Sequence, residues 1–264
     1  MKRFSIPAFA SSLALAALFL SGCSKEDEAV PATTGTVALE FDQMVGTAPL
    51  VLSTQTYTTT GGDQFRVSTF RQYISNIKLT RADGSQYTQP DSYHLLDAAV
   101  PESLEITLTD VPTGDYTGIS FTIGVDSARN VSGAQKGALD PSNGMFWTWN
   151  SGYIYTKLEG YSPQAPKPAG VAEGGLTFHV GGFKTPSNAI RTVSPAFPSG
   201  TKLLVRADHS PEIHLKADIL KMFAGTTPVR FSSLSFIMSA GPNAVLVANN
   251  YAQGMFTVDH IHAN

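Results

Sequence analysis

The stretch QFRVSTFRQYISNIKLT, residues 64–80, decides the fold class of this chain. It is rich in aromatic and β-branched side chains, which favour extended backbone over helix. The tetrapeptide ADGS at residues 82–85 follows and is a strong turn signal. We therefore expect a long strand here, folded back through a β-hairpin towards Tyr87.

Segments on either side of this stretch alternate between apolar and polar residues. TVALEF at residues 36–41 and LEITLT at residues 104–109 both have period 2, which predicts half-buried strands. VPTGD at residues 111–115 is a further turn signal, and residues 116–125 after it carry apolar side chains on one face. Strands are therefore expected along most of the chain.

Helix signals are scarce. The best of them is Lys216–Phe223, where apolar residues fall at roughly helical spacing before Gly225. The chain is 42% hydrophobic and 15% charged, which leaves ample material for a core. We predict an all-β fold: a single antiparallel β-sandwich, immunoglobulin-like, over residues 36–264, with long loops and little helix.

The N-terminus has the features of a secretory signal. Lys2 and Arg3 precede an apolar run over residues 6–20, and the run ends in LSGC at residues 20–23. This ending resembles a bacterial lipobox, in which the cysteine receives a diacylglycerol and further acyl chains such as palmitate. We expect a lipoprotein signal peptide over residues 1–22 and a lipidated Cys23.

A flexible tether is expected between Cys23 and the folded domain, over residues 23–35. The acidic SKEDE cluster at residues 24–28 resembles a surface-export signal of some Gram-negative lipoproteins. The expected location is thus the cell envelope, lipid-anchored to the outer membrane and facing the periplasm or the cell surface. Cys23 is the sole cysteine, so an intramolecular disulfide is excluded.

The charge balance argues against a nucleic-acid partner. Removal of residues 1–22 takes away two of 18 basic residues and none of the 21 acidic ones, which leaves a net charge of −5. No basic stripe is present.

The sharpest chemical motif is the pair His260 and His262 in FTVDHIH, residues 256–262. On a strand both imidazoles project to one face, and they share parity with Phe256 and Val258. They are therefore expected to continue a core-facing stripe, where a metal ion would offset the cost of burying polar groups. The alternative is a frayed polar C-terminus with two exposed histidines.

Other histidines could complete a site. His179 precedes a glycine pair, and His214 lies between two apolar residues and faces away from them. Each is a candidate third ligand or simply a solvated strand residue. His94 and His209 are weaker candidates.

Both tryptophans of the chain, Trp147 and Trp149, lie within GALDPSNGMFWTWNSGYIYTKLEG, residues 137–160. On an extended chain the two indoles share one face. They are either core anchors of the sheet or a redox-active pair, because indole is easily oxidised.

A loop-rich region collects oxygen donors of the type that Ca²⁺ prefers: Asp126, Asn130, Asp140 and Asn143. The spacing is not that of an EF-hand, and capping of turns by Asx side chains is the favoured interpretation. Enzyme signatures such as G-x-S-x-G, HExxH and Walker loops are missing, so no motif supports catalysis, although their absence alone does not exclude it.

Six segments together resemble the MbnP-like family of copper-binding proteins over essentially the whole mature domain. They are TFRQYISNIKL at 69–79, YHLLD at 93–97, VPTGDYTGISFTIGVD at 111–126, NVSGAQKGALDPSNGMFWTWNSGYIYTKLEG at 130–160, FHVGG at 178–182 and FTVDHIH at 256–262. The block from residue 124 to residue 160 is the most specific of these.

This resemblance implies a secreted, non-enzymatic copper binder that works beside a dihaem protein of the MauG and cytochrome c peroxidase type, which oxidises a tryptophan to kynurenine. Carried onto this chain, the oxidised residue would be Trp147 or Trp149. The copper ligands would be His260 and His262, with His179 and His214 as further candidates, together with the kynurenine derived from the tryptophan.

Two alternatives from other classes stay open. One is a surface adhesion or glycan-binding module, in which exposed tryptophans stack on a sugar and the oxygen-rich loop holds Ca²⁺. The other is a structural envelope lipoprotein with no ligand.

Overall fold

β-Strands dominate the part of the chain that the computed structural model describes, residues 33–132, 135–148 and 152–262. The strands are β1 Thr34–Val45, β2 Ala48–Pro49, β3 Tyr57–Thr58, β4 Gln64–Arg81, β5 Gln86–Thr88, β6 Tyr93–Asp97, β7 Glu105–Pro112, β8 Gly114–Ile123, β9 Phe146–Trp147, β10 Gly152–Ser162, β11 Gly174–Gly181, β12 Arg191–Val193, β13 Leu203–Val205, β14 Glu212–Asp218, β15 Phe236–Ile237 and β16 Phe256–His262. The helices are α1 Ser127–Val131, α2 Pro242–Tyr251 and four short 3-10 helices, Pro101–Leu104, Gly137–Leu139, Pro141–Asn143 and Ile219–Met222. The prediction of an all-β fold is confirmed.

The stretch at residues 64–80 forms the centre of the larger sheet. It is β4, which turns through residues 82–85 into β5 and pairs with it from Lys78 to Thr80. β4 also pairs with β3, β6, β8 and β10, so five of the other ten described strands of this sheet pair directly with one long strand. The hairpin predicted from the sequence is confirmed.

Two sheets make up the described fold. The larger has the order β12-β8-β4-β10-β11-β15, with β3, β5, β6, β9 and β13 joined at its sides. The smaller has the order β16-β14-β1-β2, with β7 also paired to β1. Most strand pairings are antiparallel, as expected; the exceptions among the described residues are β1 with β14 and β11 with β15, which run parallel. The immunoglobulin-like topology stays a prediction.

Aromatic side chains join the two sheets. Phe41 on β1 and Phe256 on β16 both meet Phe121 on β8, at ring-centroid distances of 6.1 and 5.0 Å. All three rings are buried. Edge-to-face contacts of this kind add about 0.5–1.5 kcal/mol beyond the burial of area. The core therefore lies between the sheets, and the opposite face of the smaller sheet is left for polar residues.

The expected helix at Lys216–Phe223 is wrong. Its first part continues β14 to Asp218, and only a short 3-10 helix, Ile219–Met222, follows. Pairing with β1 and β16 on both sides outweighs the weak helical spacing of these residues. The longest helix among the described residues is α2, which follows Gly241 and has Pro242 in its first turn. Proline is well placed there, since its missing N–H is not needed.

The N-terminal predictions fall mainly outside the described residues. The signal peptide at residues 1–22 and Cys23 are among these, as is the tether up to residue 32. β1 begins at Thr34, so the last two residues assigned to the tether are part of the strand. Among the residues that the structure describes, no helix is long and apolar enough to cross a membrane.

Candidate metal centre

Two neighbouring rows of residues cross the outer face of the smaller sheet and bring three histidines together. In one row Glu40 on β1 pairs with His214 on β14, which pairs with His260 on β16. In the next row Glu212 pairs with His262. Because side chains of paired strands project to the same face, the five functional groups form one cluster. We call these five residues the histidine cluster.

A β-bulge in β16 decides which face the histidines occupy. Val258 pairs with Leu215, but the next pair is His260 with His214, so Asp259 is an extra residue. The extra residue reverses the alternation, and His260 leaves the side of Val258 for the outer face. The expectation of a core-facing stripe is therefore wrong: His260 and His262 are both exposed.

The three imidazoles lie within reach of one another. The Nε2 atoms of His260 and His262 are 2.9 Å apart, and their rings are nearly perpendicular. The ring of His214 stacks on that of His260 at 4.2 Å. One ligand atom from each of the three histidines falls within 4.8 Å of the other two.

Carboxylates surround these rings. Oε2 of Glu40 lies 3.0 Å from Nδ1 of His214, and Asp259 lies 2.9 Å from Nδ1 of His260. Hydrogen bonds from Lys216 and from His260 hold the pKa of Asp259 below its usual value. Oε2 of Glu212 lies 3.6 Å from Nε2 of His214. The cluster is therefore a negatively charged environment that favours a cation.

This donor set fits a transition-metal ion. Two ligand nitrogens at about 2.0–2.1 Å from one ion stand about 2.9 Å apart at a right angle and about 3.3 Å apart in a tetrahedron. The Nε2 atoms of His260 and His262 are 2.9 Å apart, which is the separation of two ligands at a right angle. A carboxylate beside Nδ1 leaves Nε2 free to bind the ion, as is usual for metal-binding histidines, and both His214 and His260 have one.

His179 is not part of the histidine cluster. It lies on β11 in the larger sheet, and its Nε2 is 2.8 Å from Oε1 of Glu159. Burial lowers the pKa of His179, and this outweighs the opposite effect of Glu159. Its Nδ1 is buried and has no hydrogen-bond partner among the described residues. The two remaining histidines are also apart from the cluster: His94 contacts Gln89 and His209 contacts Asp208.

Trp147 is a buried residue of the larger sheet, 1% exposed, and its Nε1 has no partner among the described residues. It pairs through β9 with Gly152, and its ring lies over Gly181, where a Cβ would come within 2.9 Å of the indole. Trp147 also lines a pocket of about 240 Å³ beside Phe183. This burial agrees with the interpretation of Trp147 as a core anchor. A buried indole is not available to stack on a sugar. Trp149 lies outside the described residues.

The four side chains that the sequence suggests as calcium ligands form hydrogen bonds within the loops. Asp126 accepts from the backbone N–H of Arg129 at the start of α1, and Asp140 accepts in the same way from Ser142. The amide nitrogen of Asn130 donates to the carbonyl of Val125, and that of Asn143 donates to the carbonyls of Gly137 and Ala138. These contacts match the turn-capping interpretation, and calcium binding stays a prediction.

Sequence reasoning missed Glu40 and Glu212 as members of the cluster. Glu212 is two residues from His214 and so shares its face, which is a signal that the sequence contained. Glu40 reaches the site through the parallel pairing of β1 with β14, for which local patterns carry no signal. It could not have been found from spacing.

Comparisons with known proteins give one family and one similar structure. A family model described as MbnP matches residues 34–239. MbnP from Methylosinus trichosporium has a related fold, with a TM-score of 0.50 and 17% sequence identity; the match covers 87% of this chain and 99% of that chain. No curated protein matches the chain. His260 and His262 lie beyond the residues that the family model matches.

Proposed function

We propose that this chain, which belongs to the MbnP family, is an extracytoplasmic copper-binding protein that holds one copper ion at its histidine cluster. Family membership provides the association with copper. The placement of the ion rests on one observation from the described residues: His214, His260 and His262 converge on the outer face of the smaller sheet.

The chemistry of the donors supports copper over other ions. Imidazole nitrogen suits copper, zinc, iron and nickel, and sites of mixed nitrogen and oxygen donors bind Cu²⁺ more tightly than the other divalent first-row metals. Exposed imidazoles on a strand edge are also accessible to a metal carrier. A role in copper acquisition, storage or handover needs such access, and no step of catalysis is assigned to the chain.

Binding by all three histidines requires a small rearrangement. The planes of the His214 and His260 rings are inclined to each other by 12°. The nitrogen lone pairs of the two rings therefore lie in nearly parallel planes and do not converge on one point. One ring must rotate before both nitrogens can point at the same ion. The side chain of His260 is 46% exposed, so its ring can turn without displacing core residues.

A lipid anchor and an outer-membrane location are part of the proposal. They rest on the LSGC ending at residues 20–23 and on the polar segment that follows it. Replacement Cys23→Ala in the native host is expected to move the protein from the membrane fraction to the soluble fraction. Retention in the membrane fraction would contradict the anchor.

We further propose that a dihaem partner oxidises a tryptophan of this chain to kynurenine. The conversion cleaves the C2–C3 bond of indole in a four-electron oxidation that inserts two oxygen atoms, and hydrolysis then releases C2 as formate. Peroxide or dioxygen is the oxidant, and the dihaem protein is the catalyst. Trp147 is buried but lines a pocket, and electron transfer by tunnelling does not require contact with the haem. Peptide mapping of protein from the native host distinguishes Trp147, Trp149 and no modification.

Trp147 belongs to the larger sheet, whereas the histidine cluster lies on the smaller one. The proposal therefore does not include Trp147 among the ligands.

A single replacement tests the copper site. His214→Ala is expected to weaken copper binding at least tenfold in a competition titration with a chromophoric chelator. His209→Ala is the matched control, because His209 is exposed, lies next to a carboxylate and is not in the cluster. Equal affinities of the two variants would contradict the assignment of His214.

A further inference from the structure

Glu212 is placed differently from the other carboxylates near the histidines. Its Oε2 approaches Nε2 of His214, the nitrogen available to a metal, at 3.6 Å. This distance is too long for a hydrogen bond, and Nε2 is buried with no hydrogen-bond partner among the described residues. Glu212 is also the ladder partner of His262, so it borders two of the three imidazoles.

We infer that Glu212 supplies the fourth ligand and makes the site selective for the oxidised ion, Cu²⁺; this inference rests on the proposed copper site. A separation of 3.6 Å between Oε2 of Glu212 and Nε2 of His214 is near the spacing of about 3.3 Å for two tetrahedral ligands of one ion. The resulting donor set has three nitrogens and one oxygen.

The carboxylate decides the preference between oxidation states. Imidazole nitrogen and carboxylate oxygen together suit Cu²⁺, whereas Cu⁺ is favoured by soft sulfur ligands. A negative ligand also stabilises the doubly charged ion more than the singly charged one, because the attraction scales with charge. Among the described residues, the two groups of clustered metal donors contain only histidine and glutamate.

Glu40 has another role in the same cluster. Its carboxylate lies 3.0 Å from Nδ1 of His214, on the far side of the ring from the metal-binding nitrogen. It favours the tautomer with a proton on Nδ1 and so acts as a positioning residue. The two carboxylates on either side of His214 are therefore expected to affect copper binding differently.

The test compares Glu212→Gln with Glu105→Gln in the full-length protein. Glutamine keeps the shape of glutamate and removes its charge. Glu105 is exposed and belongs to neither donor group, although it is the ladder partner of Glu40, so its replacement removes the same charge from the same sheet without removing a donor. The affinities for Cu²⁺ and for Cu⁺ are measured separately by competition, and the Cu²⁺ form is examined by EPR.

Glu212→Gln is expected to lower the affinity for Cu²⁺ about tenfold or more, change that for Cu⁺ less than about threefold and alter the copper hyperfine splitting. Glu105→Gln is expected to leave the Cu²⁺ affinity, the Cu⁺ affinity and the hyperfine splitting unchanged. The inference is overturned if Glu212→Gln leaves the Cu²⁺ affinity unchanged, if both affinities fall equally, or if Glu105→Gln has the same effect. Copper binding by the wild type in those cases keeps the proposed function, whereas a wild type that binds neither ion overturns both.

Discussion

The Nε2 atoms of His260 and His262 face each other at 2.9 Å on the outer face of the smaller sheet. Nδ1 of His260 is hydrogen-bonded to Asp259, so neutral His260 carries its proton on Nδ1 and accepts at Nε2. His262 then donates from its own Nε2. A metal ion that replaces this hydrogen bond needs a change of tautomer at His262, which costs little for an exposed imidazole, in addition to the ring rotation that binding by all three histidines requires.

Replacement Glu40→Gln is expected to weaken copper binding about 10- to 100-fold, because the group that fixes the tautomer and orientation of His214 loses its charge. The three imidazoles stay in place, so the spectroscopic signature of nitrogen ligation should persist. A chelator competition series measures the affinity. Glu105→Gln is the matched control, and an equal loss in both variants would contradict a specific role for Glu40.

Replacement Trp147→Phe is expected to leave copper affinity within about threefold of wild type, since the indole lies in the other sheet from the histidines. The same change should lower the free energy of unfolding by about 1–3 kcal/mol, because a fully buried ring is made smaller. Urea denaturation and copper titration of one preparation give both results. Loss of copper binding in a folded Trp147→Phe protein would place the indole at the metal.

Replacement Gly181→Ala is expected to destabilise the fold by about 2 kcal/mol or more. The added Cβ would lie 2.4 Å from the carbonyl oxygen of Tyr153 and 2.9 Å from the indole of Trp147, so backbone must move. Gly175→Ala on the same strand is the control, because a Cβ there meets nothing within 4 Å. Chemical denaturation compares them, and equal stabilities would show that the indole does not pack on Gly181.

Replacement Asp63→Asn is expected to lower the free energy of unfolding by about 2–3 kcal/mol at neutral pH. Asp63 is 1% exposed and accepts hydrogen bonds from Arg230 at 2.7 and 3.1 Å and from the N–H of Phe231 at 2.9 Å. Arg230 holds the pKa of Asp63 below its usual value, which outweighs the effect of burial.

The pH dependence of this effect has a definite sign. A lowered pKa in the folded state gives a stabilisation that is complete above the unfolded pKa of about 3.9 and is lost as pH falls through the folded value. Wild type and Asp63→Asn should therefore differ fully at pH 6 and converge well below pH 4. Glu102→Gln, which changes an exposed carboxylate, should show no such trend. A difference that persists unchanged at the lowest pH would contradict the ionic origin.

Local sequence patterns were sufficient for part of this fold. Alternation at residues 36–41 and 104–109 predicted strands that form, and the ADGS turn predicted the hairpin after residues 64–80. These are interactions between near neighbours. The parallel pairing of Ala38 with Glu212 joins residues far apart in the chain, and no turn signal specifies such a partner.

The histidine pair shows the same limit at the site. The shared face of His260 and His262 follows from period 2 and was predicted. Which face they share depends on the bulge at Asp259, which arises only when β16 pairs with β14. The sequence therefore indicated a metal-binding pair but assigned it to the core, and pairing with His214 supplied the third imidazole.

Copper titration of the double variant His260→Ala/His262→Ala tests the central claim most directly. The wild type is expected to bind one equivalent of copper, and the variant is expected to lose that binding while keeping its circular dichroism spectrum and its unfolding midpoint, because both side chains are exposed. Unchanged stoichiometry and affinity in the folded double variant would contradict a copper site at the histidine cluster.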